Sequence, residues 1–134
     1  MKPSRPLWPW LPVALHLAAV FYLSSQPDPL PAVAAGLWDK GLHFLAYGTL
    51  GALLLFALRS SGVGRVRALL LAVAGASLYG VTDELHQAFV PGRSCELLDL
   101  VADVLGSAAG ASSLALALQL AGAPASIRRA WGGG

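Results

Sequence analysis

The side chains able to do chemistry fall into three short stretches of an otherwise apolar chain. Asp39, Lys40, His43 and Tyr47 make the first, and Asp83, Glu84, His86 and Gln87 the second. Arg93, Ser94, Glu96, Asp99 and Asp103 make the third. Asp39 and His43, His43 and Tyr47, Asp83 and Gln87, and Asp99 and Asp103 are each four residues apart, so on helices each pair shares one face. A histidine oriented by an aspartate is the arrangement of a general base. Histidines with several carboxylates can also hold a hard divalent ion, although no H-E-x-x-H spacing occurs. Arg93 and Lys40 suit the opposite task, the capture of phosphate or carboxylate, for which arginine offers bidentate contact.

These stretches must be positioned by elements that live in lipid. The chain of 134 residues is 56% hydrophobic and 12% charged, against about 25% charged in an ordinary soluble domain. Such a chain cannot cover a core with polar surface. Four apolar runs, Leu7–Ser25, Gly41–Leu58, Val66–Phe89 and Leu97–Ala121, reach or approach the ~20 residues a helix needs to cross ~30 Å of hydrocarbon. None alternates with a period of two, which argues against a barrel. The expected fold is all-α: a four-helix transmembrane bundle over residues 7–121, between a cytoplasmic N-terminus (1–6) and a disordered cytoplasmic tail (122–134). Pro27, Pro29 and Pro31 make an extended connector after the first run, Ser60 to Gly64 a short turn, and Pro91-Gly92 the end of the third run.

Basic residues set the orientation. With both termini inside, Lys2, Arg5, Arg59, Arg65, Arg67, Arg128 and Arg129 are cytoplasmic, and only Lys40 and Arg93 lie outside, a positive-inside bias that favours N-in, C-in. All three polar stretches then meet at the outer membrane face. The first run exceeds a 7–15-residue signal-peptide core, so it reads as a retained helix.

Each residue also has a plainer reading. Asp39, Glu96 and Asp99 sit where a helix N-terminus favours negative charge. Asp83 and Glu84 sit at a helix C-terminus, which disfavours it, and Asp103 lies a turn inside, so these three argue more strongly for function. His16, in mid-run, reads as a neutral, hydrogen-bonded packing residue. Gly106 and Gly110 form a G-x-x-x-G patch for close helix approach. The lone Cys95 allows no intramolecular disulfide. The basic excess is too small and too scattered for nucleic acid.

Three strings carry a resemblance. Asp39-Lys40-Gly41-Leu42-His43-Phe44-Leu45-Ala46-Tyr47, Asp83 through Arg93, and Asp99-Leu100-Val101-Ala102-Asp103 together resemble the VanZ-like membrane protein family. Ser24-Ser25-Gln26-Pro27 is similar to that family's Ser-Ser-x-Pro ending of the first helix. The likeness spans about residues 20–111. Asp103 departs from it, standing where the family's Asp-x-x-Ala-Asn string carries Asn; the change adds a negative charge and removes two amide donors. The resemblance implies a bacterial cell-envelope protein of the inner or plasma membrane, with a looser link to teicoplanin (glycopeptide) resistance.

Two functions follow as expectations. In the first, Asp39, Lys40, His43, Tyr47, Asp83, Glu84, Gln87, Arg93, Asp99 and Asp103 line an outward-facing pocket that binds an anionic envelope ligand, lipid-linked or peptidoglycan-related. In the second, the chain is a small intramembrane hydrolase or transferase, metal- or His/carboxylate-dependent, with His43, Asp83 and Glu84 the catalytic candidates. No cofactor or metal is assigned. Membrane lipid is the expected surrounding partner, and self-association is left open.

Overall fold

A computed structural model describes residues 7–27 and 37–121. The expected N-terminus and tail, and the connector prolines Pro29 and Pro31, lie outside the described residues. A single 3-10 turn, Trp8–Trp10, leads into α1 (Leu11–Ser24); α2 (Leu37–Ser60), α3 (Arg65–Gln87) and α4 (Leu97–Leu120) follow. Among the described residues there is no strand.

The four expected helices are all present, and they differ in length. Helices α2, α3 and α4 are long and apolar enough to cross a membrane, whereas Trp8–Ser24 is a shorter apolar helix. At 1.5 Å per residue it reaches about 25 Å, short of the ~30 Å core. Its two ends explain the length. Pro9 and Pro12 fall in opening turns, where a missing N–H costs nothing. At the far end the Ser25 backbone N–H and its hydroxyl both bond to the Phe21 carbonyl, at 3.1 and 2.7 Å, and Pro27 follows to prevent continuation. Conversely, α2 starts at Leu37, ahead of the expected Gly41, so Asp39 and Lys40 lie within its opening turn.

The turn between α2 and α3 closes as a Schellman motif. The Val63 N–H bonds to the Leu58 carbonyl at 3.0 Å and the Gly62 N–H to that of Arg59 at 2.9 Å. Gly62 takes the left-handed conformation this motif demands, with φ +79°. Beside it Arg59, almost fully buried, donates to the Val63 carbonyl.

The helices are apolar outside and small or polar inside. On α3 the buried residues run Ala68, Ala72, Ala76, Gly80, then Asp83, Glu84 and Gln87, a stripe with the helical repeat. On α4 they run Asp99, Ala102, Asp103, Gly106, Ser107, Ala111 and Ala115. Large side chains such as Leu70, Leu78, Leu85, Leu98, Leu105 and Leu116 point outward. Lipid is as apolar as leucine, so nothing drives large side chains inward; close packing of small ones holds the helices together instead.

That packing is tightest between α2 and α4. A Cβ on Gly106 would overlap the Phe44 carbonyl, one on Gly110 the Gly48 carbonyl, and one on Gly51 the Ser107 carbonyl. The G-x-x-x-G patch thus has a partner in Gly48 and Gly51, and the two backbones touch. Helix α1 is attached differently, by polar pins along its length. Trp10 Nε1 donates to Ser61 Oγ at 3.1 Å, His16 Nε2 to the Ala46 carbonyl at 2.9 Å, and Tyr79 to the Leu17 carbonyl at 3.0 Å. His16 is the hydrogen-bonded packing residue expected of it.

Gly110→Val should therefore destabilise the bundle by about 1–3 kcal/mol or more through overpacking, while Gly41→Ala, where nothing lies within 4 Å of the added methyl, should be neutral or mildly stabilising. Thermal unfolding in a mild detergent, compared across the two variants, checks this.

Candidate functional site

The backbone contact of α2 with α4 sets His43 opposite Asp103, each six residues into its helix and so about 9 Å from its start. His43 Nδ1 lies 2.9 Å from Asp103 Oδ1 and 3.9 Å from Glu84 Oε1, which α3 brings in from the side. All three side chains are buried: 8% exposed for His43, 2% for Glu84 and 0% for Asp103. Asp103 fits because its neighbour on α3 is Gly80; a methyl there would sit 2.7 Å from Asp103 Oδ2.

Glu84 has a second task. Its Oε2 accepts the Glu96 backbone N–H at 2.8 Å, so a carboxylate from α3 caps the first turn of α4, where negative charge is favoured. The other oxygen, Oε1, is buried without a hydrogen-bond partner among the described residues, as are Asp103 Oδ2 and the Tyr47 hydroxyl. Ligand atoms of His43, Glu84 and Asp103 lie within 4.8 Å of one another. Two ionised carboxylates at such a separation repel by about 3–4 kcal/mol at an effective dielectric constant near 20. The cluster therefore calls for a shared proton or positive charge between them.

The two cations are used in different ways. Lys40 lies 2.8 Å from Glu96 Oε2 and 2.9 Å from Asp99 Oδ1, a clasp between α2 and α4 that saturates its charge. The Lys40 ammonium, and then the Ser94 hydroxyl, hold the exposed Glu96 carboxyl below the usual carboxylate range. Arg93 instead reaches back over the end of α1. Its Nε donates to the Gln26 carbonyl and Nη2 to the Leu23 carbonyl, both at 3.3 Å, and Nη1 to Gln87 Oε1 at 3.4 Å. Among the described residues no carboxylate pairs with it.

A cavity of about 160 Å³ lies under this guanidinium. Its polar lining is Asp39, His43, Tyr47, Asp83, Gln87, Ser24 and Arg93, and its apolar wall is Val20, Leu23, Leu42 and Ala46. Eight of these eleven residues come from α2, α3 and the loop, and five lie outside the expected ligand set: the four apolar ones and Ser24. Three of the lining residues, Val20, Leu23 and Ser24, belong to α1; Ser24 opens the Ser-Ser-x-Pro string, while Val20 and Leu23 have no signal in the sequence.

The expected residues are therefore divided. Asp39, His43, Tyr47, Asp83, Gln87 and Arg93 line the cavity; Glu84 and Asp103 lie behind His43; Lys40 and Asp99 form the clasp. Of the four spaced pairs, Asp83 and Gln87 are joined by a 3.3 Å hydrogen bond, and the His43 and Tyr47 rings are nearly parallel with centroids 6.3 Å apart. Asp99 and Asp103 share a face but serve different partners. His86 faces α1 instead of the cluster. It stacks on Phe21 at 4.9 Å and lies 3.0 Å from Ser25 Oγ, whose proton is committed to the Phe21 carbonyl, so His86 Nε2 is the donor. Glu96, outside the expected set, is half of the clasp; its position at the α4 N-cap was the available signal.

Gly80→Ala should displace Asp103 and weaken its bond to His43 while leaving the bundle folded. In ¹⁵N-histidine-labelled protein the His43 Nδ1 resonance should move and that of His16 should not; an unmoved His43 signal would contradict the placement.

Neither curated proteins nor solved structures supply a match to this chain. The VanZ/LLP1 family model matches residues 9–118, a span that includes all four helices almost end to end and every residue of the cavity and the buried cluster. On that match the chain belongs to the VanZ/LLP1 family.

Proposed function

We propose that this protein is a multi-pass protein of the bacterial cell envelope whose cavity holds the anionic head of a lipid-linked ligand. The observation that carries the reading is Arg93: a guanidinium at the cavity edge whose hydrogen bonds, 3.3–3.4 Å long, all go to neutral oxygens. An anion arriving there gains a charge-assisted contact without displacing a carboxylate. Lys40, matched already by two carboxylates, is not the anion anchor. The apolar wall supplied by α1 and α2 suits the first methylenes of a lipid tail, and the flanking helices are themselves clothed in exposed leucines.

The side of the membrane belongs to the same proposal. Arg59, Arg65 and Arg67 gather at the α2–α3 turn, the opposite end from the cavity, and a cytoplasmic place for them leaves the cavity facing outward. Glycopeptide resistance is one consequence such a protein can have, through the envelope precursors it retains. The second reading, a hydrolase or transferase acting on a lipid-linked substrate, is favoured by one contact, the 2.9 Å His43–Asp103 bond, which is how a carboxylate orients a general base.

Native mass spectrometry of the detergent-solubilised protein with a polyprenyl phosphate and the matching uncharged polyprenol tests the binding reading. Wild type should prefer the phosphate, and Arg93→Ala should lose about tenfold or more of that preference, the worth of a hydrogen bond to a charged group. Equal affinities for both lipids, or for both proteins, would refute it. Release of inorganic phosphate during incubation would move the second reading ahead.

A further inference from the structure

We infer that His43, Glu84 and Asp103 form a binding site for one divalent metal ion, buried behind the cavity. This goes beyond the anion reading and does not depend on it.

Each residue comes from a different helix, and each offers a ligand atom to one point: His43 Nδ1 from α2, Glu84 Oε1 from α3 and an Asp103 carboxylate oxygen from α4, all within 4.8 Å of one another. Around an ion about 2.1 Å from each ligand, neighbouring ligand atoms sit about 3 Å apart. The His43–Asp103 edge, 2.9 Å, already has that length. The His43–Glu84 edge, 3.9 Å, is longer by about 1 Å and closes by a small swing of Oε1 about the anchored Oε2.

The second observation is independent of this clustering. Among the described residues Glu84 Oε1 and Asp103 Oδ2 are buried acceptors without a hydrogen-bond partner, in residues 2% and 0% exposed. A buried carboxylate oxygen that nothing satisfies calls for a proton, a water or an ion beside it. The neighbouring charges are committed elsewhere: Lys40 to Glu96 and Asp99, and Arg93 to Gln87 and two α1 carbonyls. A divalent ion balances the two carboxylates, and a donor set of one imidazole nitrogen and two carboxylate oxygens suits Mn²⁺ or another first-row dication better than a soft ion. Glu84 is prepared for the role by its other oxygen, fixed on the Glu96 amide at 2.8 Å, as metal ligands commonly are. His43 belongs to both the cavity lining and the triad, so an ion there adds positive charge beside the position proposed for the anion.

The test uses the whole chain in phosphatidylcholine nanodiscs, stripped with EDTA and titrated with MnCl₂ under electron paramagnetic resonance. One Mn²⁺ should bind per chain, with ¹⁴N coupling from an imidazole that disappears in His43→Gln. Glu84→Gln, which keeps an acceptor for the Glu96 amide, should weaken binding by about tenfold or more, while Cys95→Ser should leave it unchanged. Absence of stoichiometric Mn²⁺, absence of ¹⁴N coupling in wild type, or unchanged affinity in Glu84→Gln would each overturn the site. The wild-type measurements decide the matter even if a variant fails to fold, and none of them involves a lipid ligand.

Discussion

In a bilayer, helices gain nothing by hiding leucine from lipid, so the contact that organises this bundle has to be one of shape. It is the approach of α2 to α4 at backbone distance, through Gly48 and Gly51 on one helix and Gly106, Ser107 and Gly110 on the other. Only at that separation do side chains as short as His43 and Asp103 meet across the interface, 2.9 Å apart. Were the helices held at the 8–10 Å usual for larger contact residues, the pair would be parted. Helix α3 then leans its own small stripe against both, and Gly80 admits Asp103 while the next turn delivers Glu84.

The polar end of the bundle follows from this geometry and also reinforces it. Lys40 ties α2 to α4 and the loop before it; Glu84 ties α3 to the start of α4; Arg93 ties the α3–α4 loop to the end of α1. These links are charge-assisted or involve backbone groups that lie near lipid, where an unmet donor or acceptor is costly. Of these three residues Arg93 also lines the cavity, while Glu84 stands behind His43 and Lys40 belongs to the clasp. A variant at His43 or Glu84 therefore perturbs the packing of the bundle end as well as the buried cluster.

Much of this was legible in the sequence, for definite physical reasons. The four-residue spacings placed Asp83 beside Gln87 and His43 beside Tyr47, because a helix repeat is rigid. The low charge and long apolar runs announced lipid as the solvent. Other features were not legible. Whether Lys40 or Arg93 would meet the carboxylates depends on how α2 and the loop are rotated, and spacing along one helix says nothing of that. The shortness of α1 was hidden by its apolar composition, which continues through the 3-10 turn at Trp8–Trp10. The cavity's apolar wall, Val20, Leu23, Leu42 and Ala46, looks in sequence like any lipid-facing surface. The capping of α4 by Glu84 rather than by a residue of its own turn is a tertiary event with no local signature.

The class of ligand within reach of the cavity depends on which side of the membrane the polar end faces. The chain carries a single cysteine, Cys95, exposed in the loop that closes that end. Labelling of intact cells expressing the protein with a membrane-impermeant maleimide is therefore the most direct measurement. With the polar end outside, Cys95 is modified without permeabilisation, to the extent seen after it. Modification only once the membrane is opened would place the polar cluster against the cytoplasm and contradict an envelope-facing site.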